Sequence, residues 1–484
     1  MGRVAGGEVT TWAALDARVE TLARLLLGSL GLRRGDRVAL LALNHPSFFE
    51  IAFACWRAGL VLAPINWRLA APEVAALLEL AEPRLLLVDA HGGGLLAAME
   101  REPGCRSLTL DALYGFFGQP APETSFALEP SAMEDPALLL FTSGTTGRPK
   151  AAVLPVRQLF WNAVNTALAF GLTRGDATLL YTPLFHTGAI NVLAMPLFFV
   201  GGSVWLREGF DAEAIPGELA AHGITTVFGV PTTFQMMLES AAFGRADLSR
   251  LRLCLCGGAP LPVSLIHAFQ ARGLTLTQGF GMTEVGPNCF YLPPEQALLR
   301  AGSVGRPMPY ASARVVVGGR EAAPGEVGEL LLSGPHVCQG YFRNPAATAM
   351  AMEEGWFRTG DLARTDEDGY FYVAGRAKDM FISGGENVYP AEVEVALAAH
   401  PDVLECAVVP MPDPRWGEVG CAFVVFRHED ADPDALKRFL RARLAAYKVP
   451  RRFVKEASLP RNPSGKVVKE ALVARARALA PAER

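Results

Sequence analysis

The sequence predicts an α/β fold: a large N-terminal domain of several subdomains with mostly parallel sheets, followed by a small α+β C-terminal domain. Three observations carry this. Short apolar runs alternate with helical patterns from Thr10 to about residue 375. Loops rich in glycine and hydroxyl residues follow some of those runs, as ligand loops do at the carboxyl ends of parallel strands. Lysine usage then shifts: of the seven lysines only Lys150 and Lys378 precede position 437, and such a change marks a separate unit of roughly 100 residues.

In chain order, RVALLAL (37–43), RLLLVD (84–89), TVFGV (226–230) and RLCLCGG (252–258) read as buried strands. APEVAALLELA (71–81) and LPVSLIHAFQARG (261–273) read as helices between them. The second unit begins near residue 376. PAEVEVALAAH (390–400) is a helix with proline in its first turn, ECAVVPM and GCAFVVF are strands, and DALKRFLRARL (434–444) is a helix. The boundary is placed as 1–376 and 377–484.

Composition narrows the function. Half the 484 residues are hydrophobic, 19% are charged, and the formal net charge is −4, with no basic cluster of the kind nucleic acid demands. The eight cysteines form no C-x-x-C pair and read as reduced thiols. The start of the chain has no secretory pattern, which points to the cytoplasm. The stretch 181–206 lacks Asp, Glu, Lys and Arg, but Pro183, Pro196 and Gly201-Gly202 divide it. It reads as a buried helix between loops, not a membrane span.

FTSGTTGRPKAA (141–152) cannot fill a core, since it has little apolar surface. It can wrap an anion, because small residues let N–H groups and hydroxyls converge on phosphate oxygens. The common nucleotide loop needs four residues between Gly and Gly-Lys-Ser/Thr. Here two separate Gly144 from Gly147, and Ala151 follows Lys150. Taken alone, the run equally fits a glycine-rich turn, and Glu284 and Lys466 taken alone read as ordinary surface charges.

FTSGTTGRPK closely resembles the signature loop of the adenylate-forming enzymes: acyl- and aryl-CoA synthetases, luciferases and peptide-synthetase adenylation domains. QGFGMTE (278–284), GWFRTGDLA (355–363), GRAKDMFISGGENVYPAEVE (375–394) and NPSGKV (462–467) resemble that family's later motifs in the same order. The resemblance implies that ATP, Mg²⁺ and coenzyme A are used, and that the small domain is mobile. It assigns ATP or AMP to Thr142, Ser143, Gly144, Thr145, Thr146, Gly147 and Lys150. Further nucleotide contacts fall to Gly257, Gly258, Ala259, Gln278, Gly279, Phe280, Gly281, Met282, Thr283, Asp361 and Arg376. Glu284 would hold the metal, Asp361 the ribose hydroxyls, and Phe280 would stack on adenine. Lys466 would be catalytic in the first half-reaction, bridging carboxylate and α-phosphate, with Lys150, His186, Thr283 and Glu284 also in the catalytic set. Lys378 falls at the hinge. Ser383, Gly384, Gly385 and Glu386 would border the CoA side. Two departures stand out: Phe280 replaces a usual tyrosine, and Ala151 a frequent glycine.

The implied reaction is carboxylate plus ATP giving acyl-AMP and pyrophosphate, then acyl transfer to CoA with release of AMP. The acid pocket would be lined by His186, Val192, Phe228, Gly229, Gly281 and Gly286. The segments 186–192, 228–231, 257–260 and 281–289 contain one acid, Glu284, and no Arg or Lys. A second carboxylate on the substrate would need a cation, so a medium- or long-chain fatty acid is the first expectation and an aromatic acid or o-succinylbenzoate the second. A catalytically silent nucleotide binder is a third reading, and it predicts loss of Lys150, Glu284 or Lys466; all three are present. No nucleic-acid partner and no membrane span are expected. The oligomeric state stays open, a homodimer included.

Overall fold

The computed structural model describes residues 2–3, 9–100, 103–116, 128–129, 131–143, 149–383, 386–428, 433–462 and 465–480. Two six-stranded sheets dominate the large domain. One is parallel throughout: Gly2–Arg3, Ser203–Leu206, Ala177–Leu180, Thr226–Gly229, Leu253–Cys256 and Leu276–Gln278. The other runs Arg106–Thr109, Leu85–Val88, Arg37–Leu41, Val61–Pro64 and Pro136–Ser143 in parallel, with Pro149–Pro155 antiparallel at its edge. The helices Trp12–Leu27, Ser47–Arg57 and Val156–Phe170 lie between these sheets, and the largest core cluster joins side chains of both sheets to them. Strands buried on both faces explain the continuous apolar runs.

The alternation of strands and helices does not extend to residue 375. From Ser312 to Arg376 the chain builds a third six-stranded sheet that is antiparallel, with Gly328–Ser333 and Trp356–Thr365 at its centre. Its strands bury one face and alternate in polarity, a pattern short enough to be mistaken for loops. The small domain pairs Val403–Asp413 with Gly417–Phe426 in a long hairpin, adds Arg452–Glu456 in parallel, and packs Pro390–Ala398 and Lys469–Ala478 against it. All eight cysteines are free. Among the described residues, no helix is long and apolar enough to cross a membrane.

The stretch 181–206 forms helical turns Thr187–Ala189, a π-helical segment Ile190–Ala194, turns Met195–Val200 and the strand Ser203–Leu206. Pro196 has no N–H and Met195 N bonds Ile190 O rather than Asn191 O, so the Asn191 and Val192 carbonyls each lose their intrahelical donor. Side chains replace it. Asn162 Nδ2 donates to Asn191 O at 2.6 Å, and Asn288 Nδ2 donates to Val192 O at 3.0 Å and to Thr166 Oγ1 at 2.8 Å. Asn162 belongs to a polar stripe, Gln158–Asn162–Asn165–Thr166, on one face of Val156–Phe170. In the same stripe, Gln158 Nε2 reaches Thr283 O at 3.0 Å and Asn165 Oδ1 accepts from Tyr310 N at 2.8 Å. One helix thereby fixes both the proline-broken helix and the 283–288 turn.

Asn288→Leu leaves the Val192 carbonyl without a donor in the core and lowers stability by about 1–3 kcal/mol. Adding Pro196→Ala returns a backbone N–H and recovers part of that loss, read from urea-denaturation midpoints of the single and double variants.

Candidate active site

The strands Pro136–Ser143 and Pro149–Pro155 pair antiparallel down to Ser143↔Pro149, on either side of the glycine–threonine run. Gly144, Thr145, Thr146 and Gly147 lie outside the described residues, as do Gly384 and Gly385. Lys150 pairs across the hairpin with Thr142, and Ala152 bridges to Tyr341. That bridge brings the Tyr341 ring beneath Lys150 Nζ, 4.9 Å from the centroid, and its phenol to Glu284 Oε1 at 2.9 Å. Thr142 Oγ1 stands 3.5 Å from the same oxygen. Glu284 is buried, and burial together with its charge raises the Tyr341 phenol well above the usual range. Tyr341 thus stays a donor.

Glu284 is carried on a turn that only small residues permit. Met282 N bonds Gly286 O at 3.1 Å, and a Cβ at Gly281 would collide with the carbonyls of Gly286 and Pro287. Cys338 N holds the Glu284 carbonyl at 2.7 Å. Among the described residues, no cluster of three or more His, Cys, Asp or Glu could hold a metal by itself. No described donor reaches Glu284 Oε2. A single carboxylate with a free oxygen fits Mg²⁺, which keeps waters and takes its other ligands from substrate phosphates.

Asp361 and Arg376 face each other across the strands Trp356–Thr365 and Phe371–Arg376, where the register shifts at Leu362/Ala363. Arg376 Nε lies 2.7 Å from Asp361 Oδ1. Burial nevertheless wins, and the Asp361 carboxyl is pushed up to about 6 against the pull of Arg376 and Lys466. Lys466 sits at the tip of a hairpin closed by Arg461↔Val467, with Lys466 N on Asn462 Oδ1 at 3.0 Å and Gly465 at φ +81°. That conformation suits glycine. The Lys466 ammonium touches water, yet protein walls the cleft closely enough that lost hydration lowers its pKa. Arg376 adds to this effect, while Glu284 and Asp361 oppose it. Glu284, Asp361, Arg376 and Lys466 therefore share one cleft between the two domains.

His186 lies at the mouth of the helix 187–200, its ring 4.4 Å from that of Phe185. Burial, then the charges of Lys466 and Arg68, hold its pKa down to about 4, so it is neutral at ordinary pH. Beyond it the wall is backbone and ring. Phe228 fills the space a side chain would need at Gly188 and at Gly257, and Gly229 admits Tyr181 and Thr233 where its own Cβ would stand. Val192 and Gly286 are buried where the helix meets the turn. The loop Gly258–Ala259 is exposed, and Gly279 N anchors to Cys256 O at 3.0 Å. Phe280 is half-buried against Phe290.

Some expected residues play other parts in the geometry. The Gln278 amide is spent inside the fold, accepting from Leu261 N at 3.1 Å and donating to Ser303 O at 2.6 Å, which leaves only its backbone for a ligand. Lys378 pairs with Glu470 at 2.9 Å on the surface. Ser383 is buried and Glu386 exposed, on a hairpin of the small domain. Tyr341, Arg68 and the amide stripe were not legible as site residues. Arg68 also corrects the expectation of a cation-free surround, since it lies within electrostatic reach of His186, stacked 4.9 Å over Trp67.

A protonated Asp361 can accept from ribose hydroxyls only weakly. If Asp361 takes the ribose hydroxyls, as the resemblance implies, affinity for adenosine, which has no group titrating near 6, rises with pH through about 6, falls by up to about tenfold per pH unit below it, and is flat in Asp361→Asn; calorimetric titration across that range checks this.

Comparison with known proteins agrees with this arrangement. Residues 3–342 match the AMP-binding enzyme family and 392–466 the AMP-binding enzyme C-terminal domain. A feruloyl-CoA synthase from Amycolatopsis sp is 42% identical over 96% of this chain and 93% of its own length. An indoleacetate–CoA ligase from Aromatoleum aromaticum is 38% identical over 95% and 92%. The o-succinylbenzoate CoA synthetase of Bacillus subtilis, solved with ATP and magnesium, superposes with a TM-score of 0.87 at 30% identity, covering 97% of this chain and 96% of that one. By these matches, and with its buried Glu284 and lysine-bearing small domain, the chain belongs to the AMP-binding, adenylate-forming enzymes and is an AMP-forming acid–thiol ligase that uses ATP, Mg²⁺ and CoA.

Proposed function

We propose that the acid activated by this enzyme is a flat aromatic carboxylic acid of the hydroxycinnamate kind. The observation that carries this reading is the wall around Phe228: a ring between glycine backbones, apolar and uncharged, which suits a planar ring better than a flexible chain. The feruloyl- and indoleacetate-activating relatives support it over the fatty acid expected first. A fatty acid is the second reading. It is favoured by an aromatic groove of about 760 Å³, lined in part by Phe53, Trp56, Phe160 and Phe198.

In the first half-reaction a carboxylate oxygen attacks the α-phosphorus and the bond to pyrophosphate breaks. Negative charge gathers between carboxylate and phosphate, where Lys466 and Arg376 supply fixed positive charge. The hairpin tip and Lys150 hold the outer phosphates, with Tyr341 and Thr142 orienting Glu284. Bound Mg²⁺, held by Glu284, would offset the repulsion among phosphate oxygens. Asp361 fixes the ribose. Neutral His186 lines the acid's entrance without drawing its charge. In the second half-reaction the thiol sulfur of CoA attacks the acyl carbon and the bond to AMP breaks. The chain works as two bodies, 1–376 and 377–484, turning about Lys378 so that the Ser383–Glu386 hairpin replaces Lys466 at the cleft.

Lys466→Ala is expected to cut acid-dependent pyrophosphate release by about 10²–10³ while sparing CoA transfer from preformed acyl-adenylate. Ferulate, cinnamate, indoleacetate, o-succinylbenzoate, octanoate and palmitate, compared by kcat/KM, test the substrate. Octanoate or palmitate ahead of every aryl acid would establish the second reading instead.

A further inference from the structure

Where the helix 187–200 meets the turn 283–288, the donors and acceptors do not balance. The N–H groups of Asn162 and Asn288 are committed to the carbonyls freed by the π-helical turn and by Pro196. Because Asn162 Nδ2 faces a carbonyl oxygen at 2.6 Å, the orientation of its amide is fixed, and Oδ1 must point the other way. That oxygen is buried and accepts from no described group. The buried Asn191 Oδ1 likewise has no described donor, while its amide N sits 3.0 Å from Thr187 Oγ1. Buried acceptors left without a donor cost about 1–3 kcal/mol each, so the cluster asks for a donor that the fold does not provide.

Its position says where such a donor would come from. Asn162 Oδ1 faces Gly286: a Cβ there would stand 3.0 Å from it, and the three nearest atoms to that point all belong to Asn162. Glycine at 286, at φ +81°, puts no side chain against the oxygen on that side. Gly286 lies two residues past the metal-side Glu284, and the helix advances roughly 9 Å from His186 to Val192 at 1.5 Å per residue. An acid whose carboxyl lies by His186 has its far end here.

We propose that Asn162 is a specificity residue whose side-chain oxygen accepts a hydrogen bond from a hydroxyl at the far end of the aromatic acid. This rests on the aryl-acid reading above. A site with a committed acceptor disfavours the analogue that cannot donate, because the acceptor is then left dry. An internal water would satisfy the oxygen in the free enzyme and leave when the hydroxyl arrives.

The test is pyrophosphate release by the full-length enzyme with 4-hydroxycinnamate, 4-methoxycinnamate and cinnamate. The wild type is expected to favour the hydroxy acid by about 10- to 100-fold in kcat/KM. In Asn162→Leu the preference for hydroxyl over hydrogen collapses to near one while cinnamate turnover persists; a structural role alone would lower both acids alike and leave the ratio intact, overturning the assignment. Should that variant fail to fold, the wild-type series decides. Equal use of the hydroxy acid and cinnamate by the wild type overturns the role of Asn162 and leaves the aryl-acid reading standing. Failure with all three, alongside fatty-acid turnover, overturns the aryl-acid reading itself and the Asn162 role with it.

Discussion

The missing N–H of Pro196 organises the centre of the large domain. A proline inside a helix frees carbonyls that a buried segment cannot leave to water, and here two asparagines from different parts of the chain supply the donors. Asn162 comes from the helix between the sheets and Asn288 from the turn after Glu284. Three segments far apart in sequence are thereby held in one register. The π-helical turn at Ile190–Ala194, where Met195 N reaches back to Ile190 O, takes up the extra residue. The acid-side helix and the metal-side turn move as one piece because the same side chains satisfy both.

The cleft is governed by a contest between burial and charge. Asp361 is nearly inaccessible, which favours its neutral form, and Arg376 and Lys466 resist that. Asp361 has the closer cation and still rises, because a single ion pair does not replace lost hydration in full. Glu284 instead collects neutral donors, Tyr341 and Thr142. Two carboxylates of one cleft are thus set up differently, one by an arginine across a strand pair and one by hydroxyls, in keeping with the separate tasks proposed for them.

Much of this was legible in the sequence, for reasons that can be named. The parallel sheets announced themselves because buried strands such as Leu253–Cys256 are apolar throughout. The helices at 71–81 and 390–398 showed their start residues, Pro72 and Pro390 among them. The antiparallel sheet after Ser312 was missed because its strands are half-exposed and mixed in polarity. At the site, residues held in runs with glycine, such as those around Thr142 and Glu284, could be read. Tyr341 could not, since only the bridge between Ala152 and Tyr341 carries it beneath Lys150. Gln278 looked like a ligand from its place in a motif, yet Leu261 and Ser303 consume its amide. Asn162 gave no signal at all, because a polar stripe on a helix ordinarily faces water.

One feature of the cleft bears on the enzyme's own survival. An acyl-adenylate is an acylating agent, and a neutral amine is a strong nucleophile toward it, whereas a guanidinium is not. The first 436 residues offer only Lys150 and Lys378 as amines, and Lys466 is brought to the site from the small domain. Lost hydration and Arg376 press Lys466 toward the neutral, reactive form; Glu284 and Asp361 press it back toward ammonium. In the roles proposed for them, the two acids would also hold Lys466 nearer the ammonium, the form that does not attack the adenylate.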